Sequence, residues 1–183
     1  NRIEKGHHYG WPYLFGQQQI NPQTLPPKGI APEEWQAAAD PPVATYTPHA
    51  APMQAAFIWH QNWPSELQGD MLVAMRGSWN RKTPSGYEVV RVDFKNGNPV
   101  SIEPFITGFV EAKGEQSVQV GRPVGLVQAP DGTVYIADDD AGVIYRVQPQ
   151  LASQSAETAE PRAKPAAMPR ELTSQRSATR PLA

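Results

Sequence analysis

Three short segments carry side chains suited to binding or chemistry, and a fourth carries a run of carboxylates. In Arg76-Gly77-Ser78-Trp79-Asn80-Arg81, glycine lets the backbone approach a ligand closely. Arginine offers a planar donor fork for carboxylates and tryptophan a flat stacking face. In Gly121-Arg122-Pro123-Val124-Gly125, an arginine held by the following proline is suited to binding an anion. His49 opens His49-Ala50-Ala51-Pro52, directly before an apolar segment. Asp138-Asp139-Asp140 offers three adjacent carboxylates, but it lacks the glycine and distal glutamate of a helix-loop-helix calcium site. Each segment has a plainer reading. The Arg76 segment is a blade-edge loop with Trp79 packed between sheets, Arg122 forms a salt bridge to a nearby acid, Arg81 is a solvated loop charge, and the aspartates form a solvated turn. His7, His8 and His60 read as loop or surface residues. No histidine pair has the i, i+4 spacing of a helical zinc motif.

The elements that hold these residues read as strands. Residues 1–52 are dominated by proline and read as a long irregular loop, with one short helix opened by Pro32-Glu33-Glu34. Four strands follow over 53–106: Ala55–His60, Asp70–Met75, Tyr87–Phe94 and Val100–Ile106. Asn96-Gly97 between two apolar runs is a hairpin signal, because both residues tolerate positive φ. The plan then repeats over 122–148. Val124–Ala129 is followed by the turn Asp131-Gly132, by Thr133–Ala137 and by Gly142–Val147. Both copies close on a strand ending Arg-Val, and the repeat spans roughly 70 residues. Repeated antiparallel sheets of this kind make a β-propeller. The second copy stops at three strands, so its outer strand is expected from elsewhere in a longer chain. In a propeller, the loops entering the innermost strands open on the central channel, which places His49 and Arg122 at a pocket.

Composition narrows the function classes. A formal net charge of −2 gives no field for nucleic acid or an anionic membrane surface. No stretch approaches the roughly 18 apolar residues of a spanning helix. Cysteine is absent, which excludes disulfides, thiolate metal sites and cysteine catalysis. The counts of 20 prolines, 14 glycines and 5 tryptophans suit a loop-rich β fold. The chain starts at Asn1 and carries no export signal, so it reads as a fragment. Residues 149–183 contain no aromatic residue and are rich in Ala, Pro, Ser and Thr, which predicts a disordered tail.

Several motifs occur in the order found in one family. Asn1-Arg2-Ile3-Glu4-Lys5-Gly6 leads into Tyr9-Gly10-Trp11-Pro12, then come Arg76–Arg81 and Gly86–Val92, and last Gly121–Gly125 with Ala129–Gly132 and Ala137–Val147. Over residues 1–148 the chain resembles the glucose/sorbosone dehydrogenases that use pyrroloquinoline quinone, and within them the L-sorbosone-dehydrogenase-like branch. The resemblance implies an all-β fold, the C-terminal blades of a six-bladed propeller, incomplete in this chain. It implies oxidation of an aldose or sorbosone-like sugar aldehyde, with electrons passed to an external acceptor.

Further expectations follow from the same resemblance. The cofactors are the quinone and calcium, and the calcium ligands lie mostly upstream of this chain. Arg122 and Arg76 contact the quinone, a tricarboxylate, while His49 and Trp79 line the substrate pocket. Val124 stands where the family has a second cofactor arginine. The catalytic histidine and main calcium loop precede the Tyr9-Gly10-Trp11-Pro12 element, so no catalytic or metal-ligating residue is expected here. The location is periplasmic or secreted, and the fragment is inactive alone. Two rival readings are a non-catalytic propeller that binds a carbohydrate or protein, and a calcium-dependent lactonase on a similar propeller.

Overall fold

The computed structural model describes residues 1–114 and 116–149; the expected tail lies, from residue 150 on, outside the described residues. The first fifty residues are more ordered than their prolines suggest. Strands β1 (Leu14–Phe15) and β2 (Gln19–Ile20) form a small antiparallel hairpin where an irregular loop was expected. The α-helix α1 (Pro32–Ala38) begins where the sequence signals it, with proline in its first turn beside Glu33 and Glu34. Trp35 anchors the helix to the chain before it. Its indole N–H donates to the Gly10 carbonyl at 3.3 Å, and its ring meets those of His8 and Tyr13 at 4.5 and 5.1 Å.

A four-stranded antiparallel sheet follows, with β3 (Pro52–Phe57), β4 (Met71–Met75), β5 (Glu88–Lys95) and β6 (Asn98–Ile106) in sequence order. β3 starts three residues earlier than its apolar run. Pro52 is tolerated as the first residue of an edge strand that pairs only with β4. Between β5 and β6, Asn96 and Gly97 take φ of 52° and 74°, the left-handed pair a two-residue hairpin needs. A second small hairpin, β7 (Val110–Lys113) with β8 (Gln116–Gln119), was not expected. Last comes a three-stranded antiparallel sheet of β9 (Pro123–Gln128), β10 (Val134–Asp138) and β11 (Val143–Val147), in the order β11-β10-β9.

Alternation along the strands sorts the apolar side chains onto two faces. On one face Leu72, Ala74 and Val89 of the four-stranded sheet join Leu126, Val134 and Ile136 of the three-stranded sheet in a buried core. Burying a side chain of this size stabilises by about 1.5–3 kcal/mol. At the far end of this core, Trp63 donates its indole N–H to the Gly132 carbonyl at 2.7 Å. The Gln128 side-chain oxygen there accepts the N–H groups of Trp59 and His60, at 3.0 and 3.2 Å. The opposite face of the four-stranded sheet buries Val73, Met75, Val90 and Val92 with Ala50, and Tyr46 packs against it. Phe57, at the end of β3, is still 52% exposed. No described helix is long and apolar enough to cross a membrane.

Candidate functional site

The antiparallel registers bring five strand ends to one rim. Met75 at the end of β4 pairs with Pro52 and with Glu88, and Pro123 at the start of β9 pairs with Asp138 at the end of β10. The segments entering and leaving these strands therefore converge. They carry His49, Arg76, Trp79, Arg122 and Asp139.

The backbone of this rim is held in uncommon conformations. His49, Ala51 and Tyr87 take φ of 65°, 53° and 65°, and Gly77 and Gly86 take 96° and 77°. Each non-glycine residue in this region costs about 1–2 kcal/mol. Close contacts hold the arrangement. The N–H groups of Arg76 and Gly77 donate to the carbonyls of Ala51 and Ala50 at 2.9 and 2.8 Å. A Cβ on Gly86 would lie 2.5 Å from the Ala50 carbonyl oxygen, and one on Gly77 would lie 2.5 Å from the Tyr87 ring.

Arg122 is built into the rim by uncharged groups. Its Nη2 donates to the Ser78 carbonyl at 2.8 Å and to the Tyr87 hydroxyl at 3.0 Å. Its guanidinium carbon sits 5.4 Å from the centre of the Tyr87 ring, within cation–π range. The Tyr87 hydroxyl in turn donates to the same Ser78 carbonyl. The Nε of Arg122 is buried and has no partner among the described residues. Its side-chain hydrogen bonds thus go to neutral oxygens, and one buried donor is left over. An unpaired buried donor costs about 1–3 kcal/mol, so Arg122 is held in place at the expense of one unmet hydrogen bond.

Arg76 differs. Its Nε and Nη2 donate to one oxygen of Asp139 at 2.9 and 2.8 Å, so a carboxylate already faces its fork. The Asp139 N–H donates to the Arg122 carbonyl at 3.2 Å, which sets the two arginines side by side along the rim.

Asp138 corrects the expectation of a solvated turn, since it is only 4% exposed. One carboxylate oxygen accepts the N–H groups of Arg122, Asp140 and Ala141 at 2.9, 3.0 and 2.8 Å. The other accepts the Tyr145 hydroxyl at 3.3 Å. Burial pushes its pKa up, but the three N–H donors and the hydroxyl outweigh it and hold the carboxyl below its usual range. Asp138 therefore fixes the peptide that presents Arg122. Among the described residues, no group of three or more histidine or carboxylate side chains is placed to hold a metal ion.

The other predicted residues are open to solvent. Trp79 is 82% exposed, which removes the reading that packs it between sheets. His49 is exposed at the entry to β3. Arg81 is not merely solvated, because it donates to the Pro48 carbonyl at 3.0 Å. Sequence reasoning missed Tyr87, Ser78 and Asp139, the groups that hold the two arginines. One signal was available for Tyr87, a bulky residue following Gly86 at a strand entry.

Comparison with known proteins places this rim in context. The family model described as TrAA12-like matches residues 4–150. An uncharacterised protein of Borreliella burgdorferi is 32% identical over 142 residues, which is 76% of this chain and 35% of that protein. A pyrroloquinoline quinone-dependent pyranose dehydrogenase of Coprinopsis cinerea is 28% identical over 128 residues, 61% of this chain and 17% of that enzyme. The calcium structure of Trichoderma reesei Carbohydrate-Active Enzymes Family AA12 superposes with a TM-score of 0.61 at 20% identity. That superposition covers 79% of this chain and 39% of the other, and it shows a shared fold. The chain spans less than half the length of each of these relatives. With most of its length matched, from Glu4 to Gln150, the chain belongs to the TrAA12-like family.

Proposed function

We propose that this chain forms one wall of the cofactor and substrate site of a quinone-dependent sugar dehydrogenase. In this reading residues 1–148 are part of a six-bladed propeller, with one blade over about 53–106 and the final blade over about 122–148. One observation carries it: Arg122 is held at the rim by uncharged partners, and no described carboxylate pairs with its guanidinium. That arrangement fits a carboxylate of pyrroloquinoline quinone, the cofactor named for the Coprinopsis cinerea relative. When bound, the quinone supplies the electron acceptor. The residues of this chain bind and orient: Arg122 takes a carboxylate, Arg76 a second one, and Trp79 and His49 face the sugar. The substrate would be an aldose or a sorbosone-like aldehyde, the electrons would pass to an external acceptor, and the parent protein would be periplasmic or secreted. Calcium ligands and the catalytic histidine would come from upstream sequence.

The test is a titration of the full-length parent protein with pyrroloquinoline quinone, followed by tryptophan fluorescence. Arg122→Ala should weaken binding by about tenfold or more, because a hydrogen bond to a charged group contributes about 1.5–3 kcal/mol. Absence of quinone binding, or equal binding by Arg122→Ala, would refute the reading. A second reading is a propeller module that binds carbohydrate without catalysis. It is favoured by Val124 at a position where the resemblance implies arginine, and by the Asp139 carboxylate already on Arg76. It predicts sugar binding that is indifferent to added quinone.

A further inference from the structure

The two rim arginines are prepared differently, and the difference lies in one side chain. Arg122 meets neutral oxygens, whereas Arg76 meets a carboxylate through both Nε and Nη2. That contact has the composition of a ligand contact, a guanidinium edge on a carboxylate oxygen. The pair is part-exposed, with 32% of the Arg76 side chain and 39% of the Asp139 side chain open to solvent. Exposed pairs of this kind hold only weakly, so an incoming anion can displace the partner. The Asp139 backbone stays in place, because its N–H is bonded to the Arg122 carbonyl. Only the carboxylate arm has to leave.

We infer that Asp139 is an internal counter-anion, which a carboxylate ligand must displace from Arg76 to use both rim arginines. This rests on the anion reading of Arg122 and deepens it. Asp139 sets the threshold for ligand entry by occupying the second arginine until a polycarboxylate competes for it. A ligand with a single carboxylate would engage Arg122 and leave the Arg76–Asp139 pair closed. A ligand with two or more carboxylates would open it.

The experiment is a titration with pyrroloquinoline quinone of the full-length parent protein and four variants: Asp139→Asn, Asp140→Asn, Asp139→Asn with Arg76→Ala, and Arg122→Ala. Asp140 is exposed and carries the same charge one residue away, so Asp140→Asn measures the general effect of removing a negative charge. Asp139→Asn should tighten binding about two- to fivefold beyond Asp140→Asn, and adding Arg76→Ala should abolish that gain. Equal affinity for Asp139→Asn and the parent chain, or equal tightening by both asparagine variants, overturns the inference while Arg122-dependent binding still stands. No binding by any variant removes the anion reading, and this inference with it.

Discussion

Replacing Gly77 by alanine separates two forces that shape the rim. Gly77 has φ of 96°, and an added Cβ would lie 2.5–2.6 Å from three atoms of the Tyr87 ring. That ring is 8% exposed, and its hydroxyl is held by Ser78 and Arg122, so it has little room to move. The backbone part of the cost is about 1–2 kcal/mol for an L-residue at positive φ. Overpacking against a held ring adds about 1–3 kcal/mol. Gly69 isolates the first part, since its φ of 93° is nearly the same and nothing lies within 4 Å of its Cβ position. Urea denaturation should then show Gly69→Ala losing about 1–2 kcal/mol and Gly77→Ala about 2–5 kcal/mol. In a Tyr87→Ala background, Gly77→Ala should fall back to the Gly69→Ala value. Similar losses for Gly69→Ala and Gly77→Ala in the parent chain, or an unchanged Gly77→Ala cost without the ring, would refute the claim that Tyr87 is pressed onto Gly77.

Other expectations follow from single contacts. Asp138→Ala leaves three N–H donors without their acceptor and should cost about 2–4 kcal/mol in denaturant unfolding. Because the Asp138 pKa is depressed in the folded state, its contribution is present above the ordinary aspartate pKa and is lost as pH falls through the lowered folded value. Asp138→Asn should therefore flatten the acid limb of stability against pH. Burial, the hydrogen bond to Glu88 and the Glu88 charge push the Tyr46 hydroxyl up to about 12. Its contribution to stability should be complete below pH 10 and disappear as pH rises towards 12, and ultraviolet titration of Glu88→Gln should show Tyr46 ionising earlier. Trp79→Ala should change stability by less than about 0.5 kcal/mol, because the ring is 82% exposed, while under the proposed function it should weaken sugar binding measured calorimetrically.

Much of the strand plan was legible because its signals are local. Asn96-Gly97 marks a two-residue turn by backbone preference alone, and the alternation along Tyr87–Phe94 declares the strand found at Glu88–Lys95. The hairpin of β7 and β8 escaped because Val110–Lys113 is mostly exposed, so it has no apolar alternation to detect. The hairpin of β1 and β2 escaped because two-residue strands are shorter than any period. β3 was misplaced because apolar character peaks after it: buried Ile58 lies beyond the strand, while Met53 within it is 55% exposed. At the site, Arg122 was legible from its own neighbours, Gly121 and Pro123. Its partners were not, since Ser78 and Tyr87 lie 44 and 35 residues away, and Asp139 lies 63 residues from Arg76. Such pairings are products of sheet register and leave no local trace. Asp138 could have been found, because an aspartate ending a strand commonly accepts N–H groups two and three residues on.

The left-handed residues at the rim bear on how this protein tolerates redesign. His49 and Ala51 hold conformations that glycine adopts freely, and His49 is solvent-exposed, so neither side chain is required there by the backbone. A sequence chosen for thermal endurance alone would place glycine at both positions and gain from the change. Under the proposed function, position 49 is therefore where selection for endurance and selection for contact with the sugar pull apart. A screen that scores only heat resistance would be drawn to this position first and would erase the imidazole without registering any loss.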